Sequence, residues 1–328
     1  MGTVTTYKEG ACVRSRHITP GKIIRLYVRE NLQSTRKRMR QNWIGYVFLL
    51  PYMVLFLTFV VAPVVISICY SFTYYNILNP PEYIGLQNYL ELFLHDEIFT
   101  TAVKNTFLFA VVTGPAGYIA SLLFAWFINE LPNRVRALMI LVFYAPSISG
   151  AIYTIWTVIF SGDSYGFANS ALMSLGFINE PVQWLSNSRY MMPVVMIVVI
   201  WMSLGAGFLS FVAGFRGLDR SLFEAGMMDG IKNRWQELWY ITLPSMRPQM
   251  MFGAVMSITA AFSISDQTTA LCGFPSTDYA VHTVVNHLQD YGAVRFEMGY
   301  ASAIATVLFV TMIVTNQIVQ ALLRRIGR

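Results

Sequence analysis

Six charge-free apolar windows, separated by polar stretches, set the rhythm of the chain. The first lies within residues 41–81 and holds a span from about Ile44 to Phe72, with Pro51 and Pro63 predicting kinks. The others lie between Lys104 and Glu130, Arg136 and Asp163, Arg189 and Arg216, Arg247 and Asp266, and Glu297 and Arg324. A hydrocarbon core about 30 Å thick needs roughly 20 helical residues at about 1.5 Å each. All windows reach that length, although the fifth, the 18 residues from Pro248 to Ser265, does so only when extended past Asp266 to about Leu271. Barrel strands would be about ten residues long with strict alternation, which these runs lack. The pattern therefore predicts an all-α, polytopic membrane protein with six transmembrane helices over residues 44–323. An arm over 1–43 and a tail over 324–328 flank them.

The longest polar interlude of the second half, Glu224 to Pro248, reads as two short helices within a loop over 216–247. Asp219 can cap the first, which runs to about Asp229, and Gly230 can take the left-handed conformation that ends it. Asn233 predicts a second N-cap, with Gln236 three residues on in the capping-box position. The second helix carries Trp235, Leu238 and Trp239 and is expected to stop near Pro244. Phe223, Met227 and Ile231 recur four apart and give the first helix an apolar stripe. An apolar face with tryptophans is costly in water, which puts this pair in a groove, on its own bundle or on a partner.

Composition agrees with a membrane protein: the 328 residues are 55% hydrophobic and 12% charged, with mean hydropathy +0.50, where a soluble domain carries about 25% charged residues. The net charge of +6 raises nucleic acid as a partner, but its distribution marks orientation instead. With the N-terminus in the cytoplasm, 20 Lys and Arg fall inside and only Lys104, Arg189 and Arg295 outside. Both termini and the 216–247 loop are then cytoplasmic. Ten of those cations lie in the 1–43 arm, around Ile23, Ile24, Leu26, Tyr27 and Val28. The arm reads either as a helix on the membrane surface or as a disordered tail. It is too long, and the apolar run after it too long, for a secretory signal. Cys12, Cys69 and Cys272 show no metal or redox spacing. The four histidines are scattered, and His282 and His287, five apart, read as solvated or interfacial residues. The outer connections at 75–103, 161–189 and 272–297 are rich in turn residues and serve as connectors or as a docking surface.

Candidate chemistry is sparse. There is no GxxxxGK[ST] sequence, so the chain lacks the phosphate-binding loop an ATPase needs. No catalytic constellation is evident, and no cofactor or metal is implied. Asp266 is the exceptional carboxylate of the spans, and at mid-helix it would cost about 2.5–3.5 kcal/mol. With Ser263, Ser265, Gln267, Thr268 and Thr269 it either lines a hydrated pathway or sits near the outer helix end in wetter surroundings. Tyr144, Tyr153, Trp156 and Trp201 could supply aromatic stacking faces along such a pathway. Gly205, Gly207 and Gly214 read as close helix packing.

Glu224-Ala225-Gly226, then Asp229-Gly230, then Ile241-Thr242-Leu243-Pro244 resembles the EAA motif of permease subunits of bacterial ATP-binding-cassette importers. Arg234-Trp235-Gln236 and the Ile-Thr-Leu-Pro run resemble the maltose-related sugar branch. Length, span number and the loop's place before the fifth span agree, so the resemblance covers most of 44–323. Gly226 departs from the usual second alanine, and the ten residues 231–240 before Ile241 are one more than usual. The resemblance implies a permease subunit of a binding-protein-dependent sugar importer in the bacterial cytoplasmic membrane. Its implied partners are a cytoplasmic ATPase, a second and different permease chain, and an extracytoplasmic solute-binding protein, besides membrane lipid. The loop would be a coupling helix, with Glu224 as a polar contact, Gly230 permitting the turn, and Trp235, Leu238 and Trp239 anchoring the second helix. An ion-gradient-driven carrier is the alternative, and it would need mid-membrane ion sites and internal repeats. Neither these nor the paired groups of an intramembrane enzyme are seen.

Overall fold

The computed structural model describes residues 42–149 and 152–323. The readings of the basic arm and of the 324–328 tail lie outside these residues. The chain divides into two compact units, residues 1–64 and 65–328.

The helical run α1 spans Trp43–Tyr70 and carries the boundary between the units. It widens into a π-helical turn at Leu57–Val61. Pro63 follows two residues later and has no N–H to offer the carbonyl four residues back. In the wider turn the Ala62 N–H reaches back five residues to the Leu57 carbonyl, so the helix meets the expected kink at Pro63 with a π turn just before it.

The second unit begins with a two-stranded antiparallel ribbon, β1 Thr73–Tyr74 and β2 Glu82–Tyr83, with Thr73 opposite Tyr83. Then come α2 Gln87–Leu94 and the long α3 Glu97–Asn129. Asp96 caps α3 by accepting from the Phe99 N–H at 2.8 Å. The next helices are α4 Asn133–Ile148, α5 Ile152–Ile159, α6 Phe167–Ser174, α7 Ser188–Met202 and α8 Ala206–Arg216. The polar loop holds α9 Arg220–Met228 and α10 Arg234–Glu237. Last come α11 Arg247–Phe262, α12 Asp266–Cys272, α13 Val284–Gln289 and α14 Met298–Leu323.

The unit is held by three apolar clusters along α3. Near the loop, Trp126 and Ile128 meet Phe208, Phe211 and Phe215 of α8 and Met246 and Met250 beside α11. At mid-length, Phe109 meets Met191, Val195 and Val198 of α7 together with Ile264. At the far end, Phe99 and Ala102 meet Leu92, Val284, Tyr300 and Ile304. Small residues let α8 and α11 approach: a Cβ on Gly214 would stand 2.7 Å from Met246 Cε.

Six spans were expected, and the described residues give fewer. Four helices are long and apolar enough to cross a membrane: Trp43–Tyr70, Glu97–Asn129, Ser188–Arg216 and Met298–Leu323. A fifth is counted only if α4 and α5, bent by 86°, make one span. The fifth window is not one helix. It divides into α11 of 16 residues and α12 of seven, on either side of Ser263–Ser265. Asp266 is therefore not a mid-helix carboxylate. It is the exposed first residue of α12.

The second loop helix stops near Pro244 as expected, but reaches it through a π-helical turn, Leu238–Thr242, and a last turn, Leu243–Ser245. The break falls at Met246. As at Pro63, a π turn precedes a proline by two residues, and here the Leu243 N–H reaches back five residues to the Leu238 carbonyl.

Candidate functional site

Three interrupted helices meet at one cavity of about 250 Å³. Ser147 ends α4 and Tyr153 begins α5, and both line it. Met202, Ser203, Gly205 and Ala206 bring the break between α7 and α8. Ala260, Ala261, Ile264 and Gln267 bring the break between α11 and α12. Thr113 and Gly117 of the unbroken α3 form the facing wall. Non-helical backbone at membrane depth is tolerated where it lines a cavity and its polar groups find partners. Here they do. Thr283 Oγ1 donates to the Ile264 carbonyl at 2.6 Å, and Ser121 Oγ donates to the Ser203 carbonyl at 3.2 Å. The α11–α12 break is further clasped from α13: Asn286 Nδ2 donates to Ser265 Oγ at 3.0 Å, and Ser265 Oγ donates to Gln289 Oε1 at 2.9 Å.

The cavity is polar without being charged. Thr113, Ser147 and Ser203 give their protons to the Phe109, Tyr144 and Ile200 carbonyls, at 2.8, 2.8 and 2.6 Å. Their oxygens remain as acceptors. Gln267 Oε1 is buried and has no hydrogen-bond partner among the described residues. A buried acceptor left open is uncommon and marks a place for a donor. Among the described residues no Lys, Arg, Asp or Glu lines the space.

Two of the sequence candidates, Tyr153 and Gln267, line the cavity. Asp266 is exposed beside it, near enough to act electrostatically on Tyr153. Tyr144 supplies only its carbonyl, to Ser147. Trp156 and Trp201 form an edge-to-face pair, centroids 5.2 Å apart, packed with Phe160 outside the lining. Thr113, Ser147, Ser203 and Ser257 had not been singled out, although hydroxyls inside charge-free windows were the available signal. Gly205 and Gly207, read as packing glycines, line this space as well.

The 216–247 loop is the second site. Asp219 Oδ1 accepts from the Ser221 N–H at 3.0 Å, and this bond holds its carboxyl below the usual range. Gly230 closes α9 with φ +90°, a value only glycine takes freely. Asn233 accepts from the Gln236 N–H at 2.8 Å. Gln236 reaches back one residue further than a capping box requires, to the Lys232 N–H at 2.9 Å. Gly226 is the buried residue of α9, because a Cβ there would stand 2.5 Å from Ile241 Cδ1. Its place in the motif is thus set by contact with Ile241.

Leu238 alone of the three proposed anchors is buried, in the cluster with Trp126 and Phe215. Trp235 is 63% exposed while touching Trp126 edge-on at 4.9 Å, and Trp239 is 65% exposed. Met227, Met228 and Tyr240 are exposed too. Glu224, Ala225 and Asp229 are exposed, and Pro244 is exposed within the last turn. The loop is tied to the end of α3 through Arg234, which meets Glu130 at 3.1 Å and Glu237 at 2.9 Å.

At the opposite end of α3 lies a buried polar cluster that overturns the reading of the histidines. His282 and His287 are 3% and 1% exposed, not solvated. Asp96 Oδ2 accepts from His287 Nε2 at 2.9 Å and from the Tyr300 hydroxyl at 2.8 Å. The two imidazoles approach at 3.4 Å. Burial works against the Asp96 charge, but the His287, Phe99 and Tyr300 donors prevail and hold its pKa at about 2. Burial, then the His287 charge, takes His282 down to about 4. Spacing hid this cluster, because Asp96 and His287 are 191 residues apart. No group of three or more metal-ligating side chains occurs among the described residues.

The family described as binding-protein-dependent transport system inner membrane component matches residues 34–328. The probable ABC transporter permease protein YesP of Bacillus subtilis is 32% identical over 85% of this chain and 90% of its own length. The arabinooligosaccharides transport system permease protein AraP of the same species is 29% identical over 83% and 86%. LacF, the lactose transport system permease protein of Rhizobium radiobacter, is 27% identical over 68% and 74%. Among solved structures, a chain of a bacterial ABC transporter involved in the import of the acidic polysaccharide alginate superposes with TM-score 0.73. It is 24% identical, and the match covers 90% of this chain and all of that one.

Proposed function

This chain belongs to the family of binding-protein-dependent transport system inner membrane components, and from that premise we propose that it forms half of the translocation pathway of an ATP-driven sugar importer. Members of the family are transport components of the membrane, not enzymes. The carbohydrate named for relatives such as AraP and LacF supports the substrate class. The cavity at the three helix breaks is this subunit's part of the path. Its hydroxyl oxygens and the open Gln267 Oε1 match the hydroxyl donors of a neutral sugar, and its lack of cations disfavours an acidic one. A second permease chain supplies the other half, and an extracytoplasmic solute-binding protein delivers the sugar.

ATP binds a cytoplasmic ATPase, and the 216–247 loop is where this subunit receives its motion. The charge bias that puts the loop in the cytoplasm supports this, as do the exposed Trp235, Trp239, Met227 and Met228 around Glu224. Such an apolar surface on a polar loop is suited to a partner's groove.

The single observation that carries the pathway reading is the unpartnered Gln267 Oε1 in an uncharged cavity built from broken helices. Uptake of a panel of neutral and acidic oligosaccharides by cells with and without the gene identifies the substrate. Gln267→Leu should then lower its uptake about tenfold, the loss of one buried hydrogen bond, with the membrane level of the protein unchanged. Wild-type uptake in the Leu variant would remove Gln267 from the path.

A further inference from the structure

A pocket of about 460 Å³ opens where the ends of α3 and α8 meet the polar loop, and its chemistry differs from that of the inner cavity. Its inner wall is apolar: Trp126 of α3, Phe215 of α8 and Phe223 of α9. Its rim carries four guanidinium groups, from Arg136, Arg216, Arg220 and Arg234, against two carboxylates, Glu130 and Glu237.

The carboxylates do not balance the rim. Both are engaged by Arg234, at 3.1 and 2.9 Å. Arg136 turns one nitrogen onto the Asn129 and Leu131 carbonyls, at 2.7 and 2.9 Å, and so closes the end of α3. Its Nε is buried with no acceptor. Arg216 and Arg220 have no ion-pair or hydrogen-bond partner among the described residues. The pocket thus has an excess of two positive charges and a shortage of acceptor oxygens.

We propose that this pocket holds the phosphate of a net-anionic phospholipid headgroup from the leaflet on the loop side. Guanidinium groups match phosphate oxygens in planar, paired hydrogen bonds, whereas a single carboxylate offers fewer acceptors. The level is right for a headgroup. The pocket begins where the apolar run of α3 ends at Asn129 and that of α8 ends at Arg216. Trp126 and Trp235, in contact there, are the residue type that settles at the membrane–water boundary. Apolar walls below a cationic rim suit the glycerol and first methylenes of a lipid better than a free phosphate ion. Basic pockets between spans are recognised sites for acidic lipid headgroups. Because the rim joins α3 and α4 to the first loop helix, an occupying phosphate would brace the loop against the bundle.

Native mass spectrometry of the full chain in detergent, supplied with phosphatidylglycerol, phosphatidylcholine or inorganic phosphate, tests this. The wild type should retain phosphatidylglycerol about tenfold more than phosphatidylcholine, and Arg216→Gln with Arg220→Gln should lose about tenfold in that retention. The thermal melting midpoint of the double variant, taken without added lipid, shows that it remains folded, since both side chains are exposed. A melting shift on adding phosphatidylglycerol, present in the wild type and absent in the double variant, gives a second readout. Equal retention by wild type and variant overturns the proposal. So does inorganic phosphate binding as well as the lipid and displacing it, which would make this a soluble-anion site. If the double substitution leaves lipid retention intact but releases a copurifying ATPase, the rim serves protein carboxylates and the lipid assignment falls.

Discussion

His282 shows how one buried side chain ties stability to pH. Its imidazole has an ordinary pKa of 6.5 and is held at about 4, because burial and the His287 charge disfavour protonation. Between those values the unfolded chain binds the proton and the folded chain does not, so acid favours unfolding. The Asp96 carboxylate, held at about 2, stays charged across the same interval. The melting temperature in detergent should therefore be highest above about pH 6.5, fall towards pH 4 as the unfolded chain protonates His282, and go on falling below it as the unfolded chain protonates Asp96. His282→Gln should flatten that slope. An unchanged slope in the variant would assign the acid response to another group. Gly226 is the other instructive residue. Its side-chain position is already filled by Ile241 Cδ1, so an alanine there would require Ile241 to move.

At the scale of elements, breaks matter more than helices. The α7–α8 and α11–α12 interruptions would be costly in lipid, since each frees backbone carbonyls. Ser121 and Thr283 satisfy those carbonyls, and the space between the breaks becomes polar. The loop pair follows a similar logic. Gly230 turns the chain with a positive φ, and Arg234 ties the second helix to Glu130. Proline cannot adopt φ +90°, so Gly230→Pro should disorder the turn, abolish uptake and reduce copurification of an ATPase while membrane insertion persists. Glu224→Lys, at an exposed position, should give the same uptake and copurification defects without disturbing the fold. Normal uptake in both would rule out a coupling role for the loop.

At the scale of the molecule, the distribution of Lys and Arg predicts an orientation with both termini and the loop on the cytoplasmic side. A chain cleared of Cys12, Cys69 and Cys272 can be probed with single cysteines to test it. Ser221→Cys in the loop should react with an impermeant maleimide only in inverted vesicles. Ser164→Cys, between α5 and α6, should react in intact cells whose outer layers admit the reagent. The reverse pattern would invert the topology and move the loop away from any cytoplasmic ATPase. Neither position takes part in the inner cavity.

The sequence by itself determined the class of this protein. Long charge-free windows can be stable only in lipid, and local signals carry caps and turns. Hence Asp219, Gly230 and Asn233 were legible from single positions and their neighbours. The EAA-like loop was legible because its motif is contiguous. What only the tertiary structure decided are arrangements whose partners are far apart in sequence. Hydropathy reads Pro248 to Leu271 as one span, because serines inside an apolar run do not reveal that Thr283 will take up the Ile264 carbonyl and stabilise a break there. Nor can spacing show that Asp96 will meet His287, or that Gln267 will face a cavity while Trp156 and Trp201 pack beside it. Local propensity is written in neighbouring residues. The partner that completes a broken helix or buries a charge is chosen by packing alone.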